Sequence, residues 1–451
     1  MRFTKITASI GPSTESEEML RAISDAGVNA FRLNFSHDVG DVQGARIKRI
    51  RKLGAPAAII ADLQGPKHRI GEFSTESVTL KEGGAFVFDN NKAPGDETRV
   101  NLPDDEVLAA LKVGGVILLN DGKQEFKVVK TDGKSVQTKI IRGGEIKGRR
   151  GFNLPNTEID RPILTDKDRV DLEYALCQDI DFVAVSFVQK AEDISEVRDF
   201  ITARSERPVK IIAKIERPQA LPRIEDIIKN SDGIMLARGD LAVEVPFWEV
   251  PAISRRLIKL CRDLNKPIIM ATQMLSSMVD SEFPTRAEIS DVATASYLRA
   301  DSAMTSEETT VGKFPLATIK TMQAILNNAD GDGIYNHYDW TPLSDGDNAW
   351  SKSVVELAAL NNASAIVIFT HGGTNARTIS SRRPDIPIVA VCKDEIIANQ
   401  LCLYRGVFSI ADEKFFWEKD FSGAAARFGI TKGRAVVVED DAITLGHISN
   451  I

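Results

Sequence analysis

The sequence predicts an α/β protein: a (β/α)₈ TIM barrel with an inserted small β-barrel domain and a C-terminal doubly wound α/β domain. Three observations predict this fold. Eight short apolar runs recur up to residue 305, most of them separated by stretches with helical periodicity. A segment with glycine turns and alternating hydrophobicity interrupts this pattern once. A polar segment with glycines ends the pattern, and a further alternation of predicted strands and helices follows.

The eight apolar runs are short, rich in β-forming residues and of the length of buried parallel strands. Helical periodicity separates most of them, as at 193–203 and 252–263. Eight parallel strands that alternate with helices form a closed barrel. The predicted strands are 5–10, 29–34, 57–62, 181–186, 210–215, 233–237, 267–272 and 301–305.

The spacing between the third and fourth strands is much longer than the others. It contains the turns Glu82-Gly83-Gly84, Asp121-Gly122 and Asp132-Gly133 between alternating runs, which predicts an inserted β domain at 67–159. Because this domain would emerge from the catalytic rim, we favour a lid that excludes water over a passive decoration. The barrel domain is then 1–66 and 160–330.

A third domain follows the polar, glycine-bearing stretch 327–333. We predict a linker at 331–346 and an α/β domain at 347–451. Its strands are predicted at 365–369, 388–391, 407–410 and 435–438, in the βα alternation of a doubly wound sheet.

The composition limits the classes of function. With 57 basic and 64 acidic residues and a net charge of −7, the chain lacks the charge of a nucleic-acid-binding protein. Four scattered cysteines without a CxxC pair favour a reducing cytoplasm over a disulfide framework. The sequence shows no secretory signal and no run of apolar residues long enough to span a membrane, so we expect a soluble cytoplasmic protein.

Polar side chains follow the apolar runs, at the strand ends where barrel enzymes carry their catalytic groups. Lys214 and Glu216 share one face of their strand, which places an ammonium beside a carboxylate. Asp240 ends the next strand and supplies a second carboxylate. Two hard oxygen ligands without a dedicated cage suit Mg²⁺ that completes its coordination with water and substrate oxygens. The pattern therefore predicts an anionic substrate.

Several motifs, in this order, resemble those of the pyruvate kinase family over nearly the whole chain. One motif alone would be weak, but the ordered set is specific. The motifs are Ile10-Gly11-Pro12-Ser13, Phe31-Arg32-Leu33-Asn34-Phe35-Ser36-His37, Lys214-Ile215-Glu216, Gly233-Ile234-Met235-Leu236-Ala237-Arg238-Gly239-Asp240-Leu241, Ala271-Thr272-Gln273-Met274-Leu275 and Pro284-Thr285-Arg286-Ala287-Glu288.

The resemblance implies that phosphoryl is transferred from phosphoenolpyruvate to ADP, giving ATP and pyruvate, as the last step of glycolysis. It also implies a requirement for Mg²⁺, with Mn²⁺ as an alternative, and a homotetramer. In the reaction, Lys214 would hold the phosphoryl group and stabilise the enolate, and Arg32 would bind phosphate oxygens bidentately. The structural alternative for Lys214 is a simple ion pair with Glu216.

The resemblance assigns further roles around these two cations. Glu216 and Asp240 would bind Mg²⁺, although Asp240 could instead cap the following helix. Gly239 would let backbone N–H groups approach the substrate carboxylate. Thr272 would contact the substrate and lie near the enolate face that is protonated, and we expect it to act through water. The matching nucleotide contacts are Asn34, His37, Arg69 and Lys190, of which the last three alone would be ordinary surface groups.

The segment Asp62–Ile70 departs from potassium-activated relatives, which carry a Glu at the position of Lys67 and a hydroxyl at that of Leu63. Asn34, Ser36 and Asp62 match the region that surrounds the monovalent cation. A tethered ammonium at Lys67 would replace K⁺, so the resemblance is to the potassium-independent type. The structural alternative is a surface lysine without this role.

The third domain contains a candidate effector loop for a phosphate, formed by Thr370, Gly372, Gly373 and Thr374 at the start of a predicted helix. A plain turn at a helix start is an equally good interpretation. Acidic residues stand at Glu439–Asp441, where relatives activated by fructose 1,6-bisphosphate have a glycine-rich loop. They would repel a second phosphate, so we expect no activation by that ligand.

Two other functions fit parts of the pattern. A Mg²⁺-dependent barrel lyase acting on a 2-oxo acid would also use a metal-bound enolate beside a cation, but it needs no nucleotide site. A non-catalytic effector sensor would use only the third domain. It would not need Lys214, Glu216, Asp240 and Thr272 together, and these residues therefore favour an enzyme.

Overall fold

The computed structural model describes residues 1–332, except 39, 156 and 160, and residues 349–449. The predicted linker 331–346 lies outside the described residues apart from its first two positions. Within the described residues, no helix combines the length and the apolar character needed to cross a membrane.

Eight parallel strands close into a barrel, as predicted, and each pairs with its neighbours along the closed order. All eight are almost continuously buried, which is why they appear in the sequence as apolar runs rather than as alternating ones. They are Lys5–Ile10, Ala30–Asn34, Ala58–Asp62, Phe182–Val185, Lys210–Ile215, Gly233–Ala237, Ile268–Ala271 and Ser302–Thr305.

Helices surround this barrel and cover its outer face with apolar side chains. Several begin at capping residues: Thr165 and Thr285 each form a capping box with the acidic residue three positions later. The α-helices of this part are Glu17–Asp25, Asp41–Arg51, Asp166–Leu176, Ala191–Thr202, Ile224–Asn230, Arg238–Glu244, Val250–Asp263, Arg286–Tyr297, Glu307–Thr310 and Pro315–Asp330, with short 3₁₀ turns at Pro218–Arg223, Phe247–Glu249 and Ser276–Val279.

The inserted segment forms a six-stranded sheet and a two-stranded sheet around its own core. Phe86, Phe88 and Phe126 pack edge to face and tilted at the centre of that core. The strands are Ser77–Leu80, Ala85–Asp89, Arg99–Asn101, Val116–Leu119, Gln124–Thr131, Ser135–Arg142, Gly144–Lys147 and Phe152–Asn153, with one helix at Asp105–Ala110.

The C-terminal α/β domain has a five-stranded sheet in which four strands are parallel and the last is an antiparallel edge. Its strands are Ala363–Thr370, Ile388–Cys392, Val407–Ala411, Gly433–Glu439 and Ala442–Ile448, and its helices are Ala349–Leu360, Thr374–Ser381, Glu395–Leu401, Glu413–Glu418 and Phe421–Ala426.

This domain packs against the amino-terminal ends of the barrel strands, which we call the base. Buried ion pairs join the two domains there: Arg383 to Asp301 and Arg405 to Asp330. The apolar cluster inside the barrel continues into the core of the C-terminal domain. The opposite end of the barrel, the rim, therefore stays open for the site.

Candidate active site

A cavity of about 670 Å³ opens at the rim, where the barrel strands end. Its walls come from several strand ends and from the segment that leads into the insert. It brings together nine of the residues predicted from the sequence: Arg32, Asn34, Ser36, His37, Lys67, Arg69, Lys214, Glu216 and Asp240.

Lys214 is the central cation of this cavity. Its Nζ lies 3.0 Å from Glu216 Oε1 and 3.1 Å from Asp62 Oδ1, and it donates to Ser186 Oγ at 2.7 Å. Burial alone would lower the pKa of Lys214, but the carboxylates of Asp62 and Glu216 outweigh it and raise that pKa. The ammonium is therefore held charged at one fixed position.

Arg32 shares Asp62 with Lys214. Arg32 Nε lies 2.5 Å from Asp62 Oδ2, and its Nη1 donates to Ser9 Oγ at 2.9 Å. Burial raises the pKa of Asp62, but Arg32 and Lys214 together lower it below its ordinary value. Asp62, predicted to lie in the monovalent-cation region, thus stands behind the cavity wall as the anion that holds both cations.

Two carboxylates, Glu216 and Asp240, face the cavity beside Lys214. Burial, followed by repulsion from Asp240, raises the pKa of Glu216 against the opposing effect of Lys214. Asp240 lies in the first turn of the helix Arg238–Glu244, whose N-cap is Ala237, so it does not cap that helix. Two acids that repel each other offer oxygens to a hard divalent cation.

The described residues contain no group of three or more His, Cys, Asp and Glu side chains placed to hold a metal. Glu216 and Asp240 therefore amount to a two-ligand set. A cation bound there would need further oxygens from water or substrate, as Mg²⁺ commonly does.

Thr272 and Gly239 meet at the ends of two neighbouring strands. Gly239 N donates to Thr272 Oγ1 at 2.7 Å, and that hydroxyl donates to Ala271 O at 2.7 Å. A Cβ on Gly239 would lie 3.3 Å from Thr272 Oγ1, a tight contact that the glycine avoids. Thr272 has φ of 66° and Gln273 of 55°, an unfavourable conformation for a β-branched residue.

The strained turn is held by a residue that the sequence reasoning did not assign. Arg238 Nη2 donates to Thr272 O at 2.8 Å, and its Nη1 pairs with Asp291 at 2.7 Å. Ser186, which accepts a hydrogen bond from Lys214, was likewise given no role. Its position at the end of the fourth strand was the available signal, whereas nothing local links Arg238 to Asp291.

The residues predicted to surround the nucleotide and the monovalent cation lie on two different cavities. Asn34 Oδ1 accepts from Ser36 N at 3.0 Å, and Lys67 and His37 are exposed on the cavity wall. Arg69 Nη1 donates to Arg149 O of the insert at 3.1 Å. Lys190 instead begins the helix Ala191–Thr202 and lines a second cavity of about 710 Å³.

The candidate effector loop lies far from this site, in the C-terminal domain, between a strand and the helix Thr374–Ser381. Gly373 has φ of 75°, and its N–H donates to Thr370 Oγ1 at 2.9 Å. Arg377 donates to Gly372 O at 2.8 Å and to Thr374 Oγ1 at 2.9 Å. The loop is thus closed by its own contacts.

Comparisons with known proteins agree with this geometry. Residues 1–319 match the family model described as pyruvate kinase, barrel domain, and residues 348–446 match that of the pyruvate kinase alpha/beta domain. The chain is 38% identical over 460 residues to the pyruvate kinase of Methylorubrum extorquens, which covers 99% of the chain and 94% of that protein. It is 40% identical over 422 residues to that of Clostridium perfringens, covering 91% and 89%.

A solved structure is similar as well. The crystal structure of a pyruvate kinase from Cryptosporidium parvum superposes with a TM-score of 0.93 at 28% identity, over 99% of this chain and 96% of that one. Both domains, the order of their strands and the relatives along nearly the full length point the same way. The chain belongs to the pyruvate kinase family.

Proposed function

We propose that the protein transfers the phosphoryl group of phosphoenolpyruvate to ADP and forms ATP and pyruvate. The observation that carries this proposal is the position of Lys214, an ammonium held between Asp62 and Glu216 with Arg32 and Asp240 on the same cavity. Phosphoryl transfer depends on alignment and charge stabilisation, and this site offers cations and carboxylates for both. Family membership favours this reaction over the lyase alternative.

In the proposed reaction, the bond between phosphorus and the enol oxygen breaks while a β-phosphate oxygen of ADP attacks phosphorus. Lys214 lies where it can contact both the moving group and the enolate oxygen left behind. Arg32 directs its guanidinium into the cavity while Asp62 fixes its Nε. Two cations of fixed position would stabilise the charge of the transition state without reorganisation.

Glu216 and Asp240 are the residues that we assign to Mg²⁺, with Mn²⁺ as an alternative. When bound, the divalent ion supplies neutralisation of carboxylate and phosphoryl oxygens. Burial first, and then the charge of Asp240, raise the pKa of Glu216, so a cation held by both acids would stabilise their charged forms. Phe187 N donates to Glu216 Oε2 at 3.1 Å and orients this carboxylate toward the cavity.

Pyruvate forms when the enolate carbon takes a proton, and we assign Thr272 to this step through a relayed water. Its hydroxyl already donates to Ala271 O and accepts from Gly239 N. A hydroxyl with these partners is poorly suited to giving up its own proton. We assign the backbone at Gly239 and the carboxylate of Asp240 to the pyruvyl end of the substrate.

For the nucleotide phosphates we propose Asn34, His37, Arg69 and Lys190. The shared cavity supports the first three, whereas the assignment of Lys190 rests on the resemblance alone because it lines the second cavity. The insert, proposed as 67–159, would act as a lid above them.

The same resemblance supports several further proposals. The enzyme acts without K⁺, because Lys67 supplies a cation on the cavity wall near Asn34 and Ser36. Fructose 1,6-bisphosphate does not activate it, since Glu439–Asp441 lie beside the loop Thr370–Thr374, with Asn375 bonded to Asp440 O. The protein assembles as a homotetramer in the cytoplasm, and its domains are 1–66 with 160–330, 67–159 and 347–451.

A coupled assay that detects pyruvate tests the proposed function. We expect turnover only when phosphoenolpyruvate, ADP and Mg²⁺ are all present, with one ATP formed for each pyruvate. Pyruvate formation independent of ADP would contradict phosphoryl transfer and support a lyase.

A further inference from the structure

The insert is joined to the barrel by two segments that run side by side, which we call the neck (residues 66–70 and 149–154). Ile70 N donates to Arg150 O at 3.0 Å, and Phe152 N donates to His68 O at 3.3 Å. If the insert moves relative to the rim, the backbone of these two segments must bend. The neck is therefore where the position of the insert is set.

His68 lies inside the neck and ties three parts of the chain together. Its Nδ1 lies 3.0 Å from Asp104 Oδ2 of the insert, and its Nε2 lies 3.0 Å from Arg161 Nη2 at the return to the barrel. Its ring stacks on Phe152 with centroids 5.1 Å apart. Arg161 also pairs with Asp104 at 2.9 Å and donates to Pro66 O at 2.9 Å.

These contacts define the protonation of the imidazole. A guanidinium can only donate, so Nε2 must accept from Arg161 and Nδ1–H donates to Asp104. The neutral ring satisfies both neighbours. A second proton, on Nε2, would face the guanidinium and remove the contact with Arg161.

The charges around the ring agree with a neutral His68. Burial has the largest effect and lowers the pKa of His68. The charges of Arg161 and Arg217 lower this pKa further, and Asp104 offsets only part of the decrease. The hydrogen bond from His68 in turn lowers the pKa of Asp104 to about 2. The other charged groups on the walls of the two adjoining cavities are Lys67, Arg69, Asp105, Glu106, Asp121, Lys167, Asp240 and Glu244.

The position of His68 matters for the rim cavity. Lys67 and Arg69, the residues on either side of it, both line that cavity. Because His68 lies between them in the chain, holding it in the neck also fixes the backbone that carries Lys67 and Arg69 to the site. Release of His68 would free both cations at once.

We propose that His68 is a positioning residue: with Asp104 and Arg161 it forms a clasp that fixes the insert and its two flanking cations while its imidazole is neutral, and that opens on protonation. The clasp is closed above the ordinary pKa of histidine, 6.5, and weakens as the pH falls below it, because the open form binds the additional proton. The kinetic consequence rests on the proposed function, but the clasp itself does not.

Two measurements without substrate test the clasp on the full-length protein. Histidine NMR signals are followed from pH 8 to pH 5, with the His68 signal assigned by its loss in His68→Asn. Amide hydrogen exchange of residues 67–154 is followed over the same range and corrected for intrinsic rates. We expect a His68 midpoint below 6.5 and an exchange rate that rises toward pH 5.5 by at most about tenfold, since one pH unit below 6.5 changes the open-to-closed ratio by no more than about a factor of ten.

The variant His68→Asn keeps an amide donor for Asp104 and cannot titrate, so its exchange should not respond to pH. His68→Gln serves the same purpose should the shorter side chain fail to fold. His447→Asn, on an exposed edge strand, is the matched control and should behave like the unmodified protein. A His68 midpoint at or above 6.5, or the same pH response in His68→Asn, overturns the proposal.

The kinetic test separates positioning from a structural role. We expect the KM for ADP to rise between pH 8 and pH 6 in the unmodified protein and in the control, by up to about fourfold, which is the limit for one group that titrates at 6.5 in the open form, with a smaller change in kcat. In His68→Asn the KM should not change with pH beyond a factor of about two. If the unmodified protein shows no ADP-dependent turnover, the proposed function fails, while the exchange and NMR results still decide the clasp.

Discussion

Buried charges lie at both ends of the barrel, but their partners differ. At the base, Asp301 accepts from both terminal nitrogens of Arg383 and from two backbone N–H groups, those of Ile268 and Arg405. At the rim, Asp240 pairs with no cationic side chain in the described part of the chain. The Asp301 carboxylate is thus satisfied by protein groups alone, whereas the rim groups leave carboxylate oxygens and two cations facing a cavity.

This difference separates structural from functional charge. A buried ion pair with all its hydrogen bonds made stabilises one arrangement of two domains, and removing one partner leaves an unpaired charge. A cluster in which neighbouring acids repel each other is costly unless a ligand completes it. At the rim the pKa of Glu216 is raised, mainly because the carboxyl group is buried and also because Asp240 lies nearby, so a bound cation would stabilise its charged form.

The largest effect should come from the rim cation. Lys214→Met removes the ammonium that we assign to the transferred phosphoryl group, and we expect kcat to fall by a factor on the order of 10³ or more. The coupled assay measures the loss, and circular dichroism checks that the fold is kept. Lys229→Met, in an exposed pair with Glu225, is the control and should retain full activity. Activity close to normal in Lys214→Met would remove our assignment of this residue.

The opposite pattern is expected at the base. Arg383→Met leaves Asp301 buried without its guanidinium, so the free energy of unfolding should fall by about 3 kcal/mol or more. Denaturant titration measures this change. At a temperature where the variant is folded, kcat should stay within about twofold of normal, because no base residue contacts the cavity. A loss of kcat as large as that of Lys214→Met would erase the distinction between the two ends.

The sequence predicted those parts of the molecule that depend on local patterns. The eight barrel strands appear as apolar runs, and Lys214, Glu216 and Asp240 lie at or just after the ends of two of them, so both the barrel and its rim could be located. The contacts that organise the site could not. Ser186 lies 28 positions from Lys214, Arg238 53 positions from Asp291, and Arg383 82 positions from Asp301.

Such pairs leave no periodicity in the sequence, because only the closed barrel brings their elements together. The same limit applies to Asp62, whose strand-end position was visible but whose pairing with Arg32 and Lys214 was not. It also applies to Lys190, which lies on the rim side but in a separate cavity. Residue type and strand position therefore indicate candidates, and tertiary packing decides their partners.

The metal assignment allows a finer comparison within the rim. Asp240→Asn keeps the size of the side chain but removes the charge, and we expect the Mg²⁺ concentration for half-maximal activity to rise roughly a hundredfold. Glu307→Gln, an exposed acid on the same cavity, is the matched control and should leave this concentration nearly unchanged. Equal shifts in both variants would show that the negative charge of the cavity as a whole attracts Mg²⁺, rather than that Asp240 binds it directly.

Lys5 tests whether every charge at the base is stabilising. It is buried against the Phe408 ring, donates to Val407 O, and has no carboxylate partner within ion-pair distance among the described residues. Burial lowers its pKa from 10.5 to about 7. The unfolded chain therefore holds the Lys5 proton more tightly than the folded chain does. As the pH falls from about 10.5 to about 7, Lys5 becomes protonated in the unfolded chain first, and the free energy of unfolding decreases.

Lys5→Met should therefore stabilise the protein near pH 7, by about 2 kcal/mol, and this gain should shrink as the pH rises toward 10. Denaturant titrations at pH 7 and pH 9.5 measure both values. A variant less stable than the unmodified protein at pH 7 would show that the bond to Val407 O and the contact with Phe408 compensate for the burial.

The smallest effect concerns the exposed cation at the rim. If Lys67 replaces K⁺, activity in tetramethylammonium should stay within about twofold of activity in K⁺. Lys67→Glu should lower activity in tetramethylammonium roughly tenfold, since one partly screened charge contact is worth about 1–4 kcal/mol. Addition of K⁺ should then restore the activity of this variant. Lys67→Met separates loss of charge from its reversal and should be weakly active in both salts. K⁺ dependence of the unmodified enzyme, or a Lys67→Glu variant indifferent to K⁺, would assign Lys67 to the surface and leave the rim with Arg32 and Lys214 as its working cations.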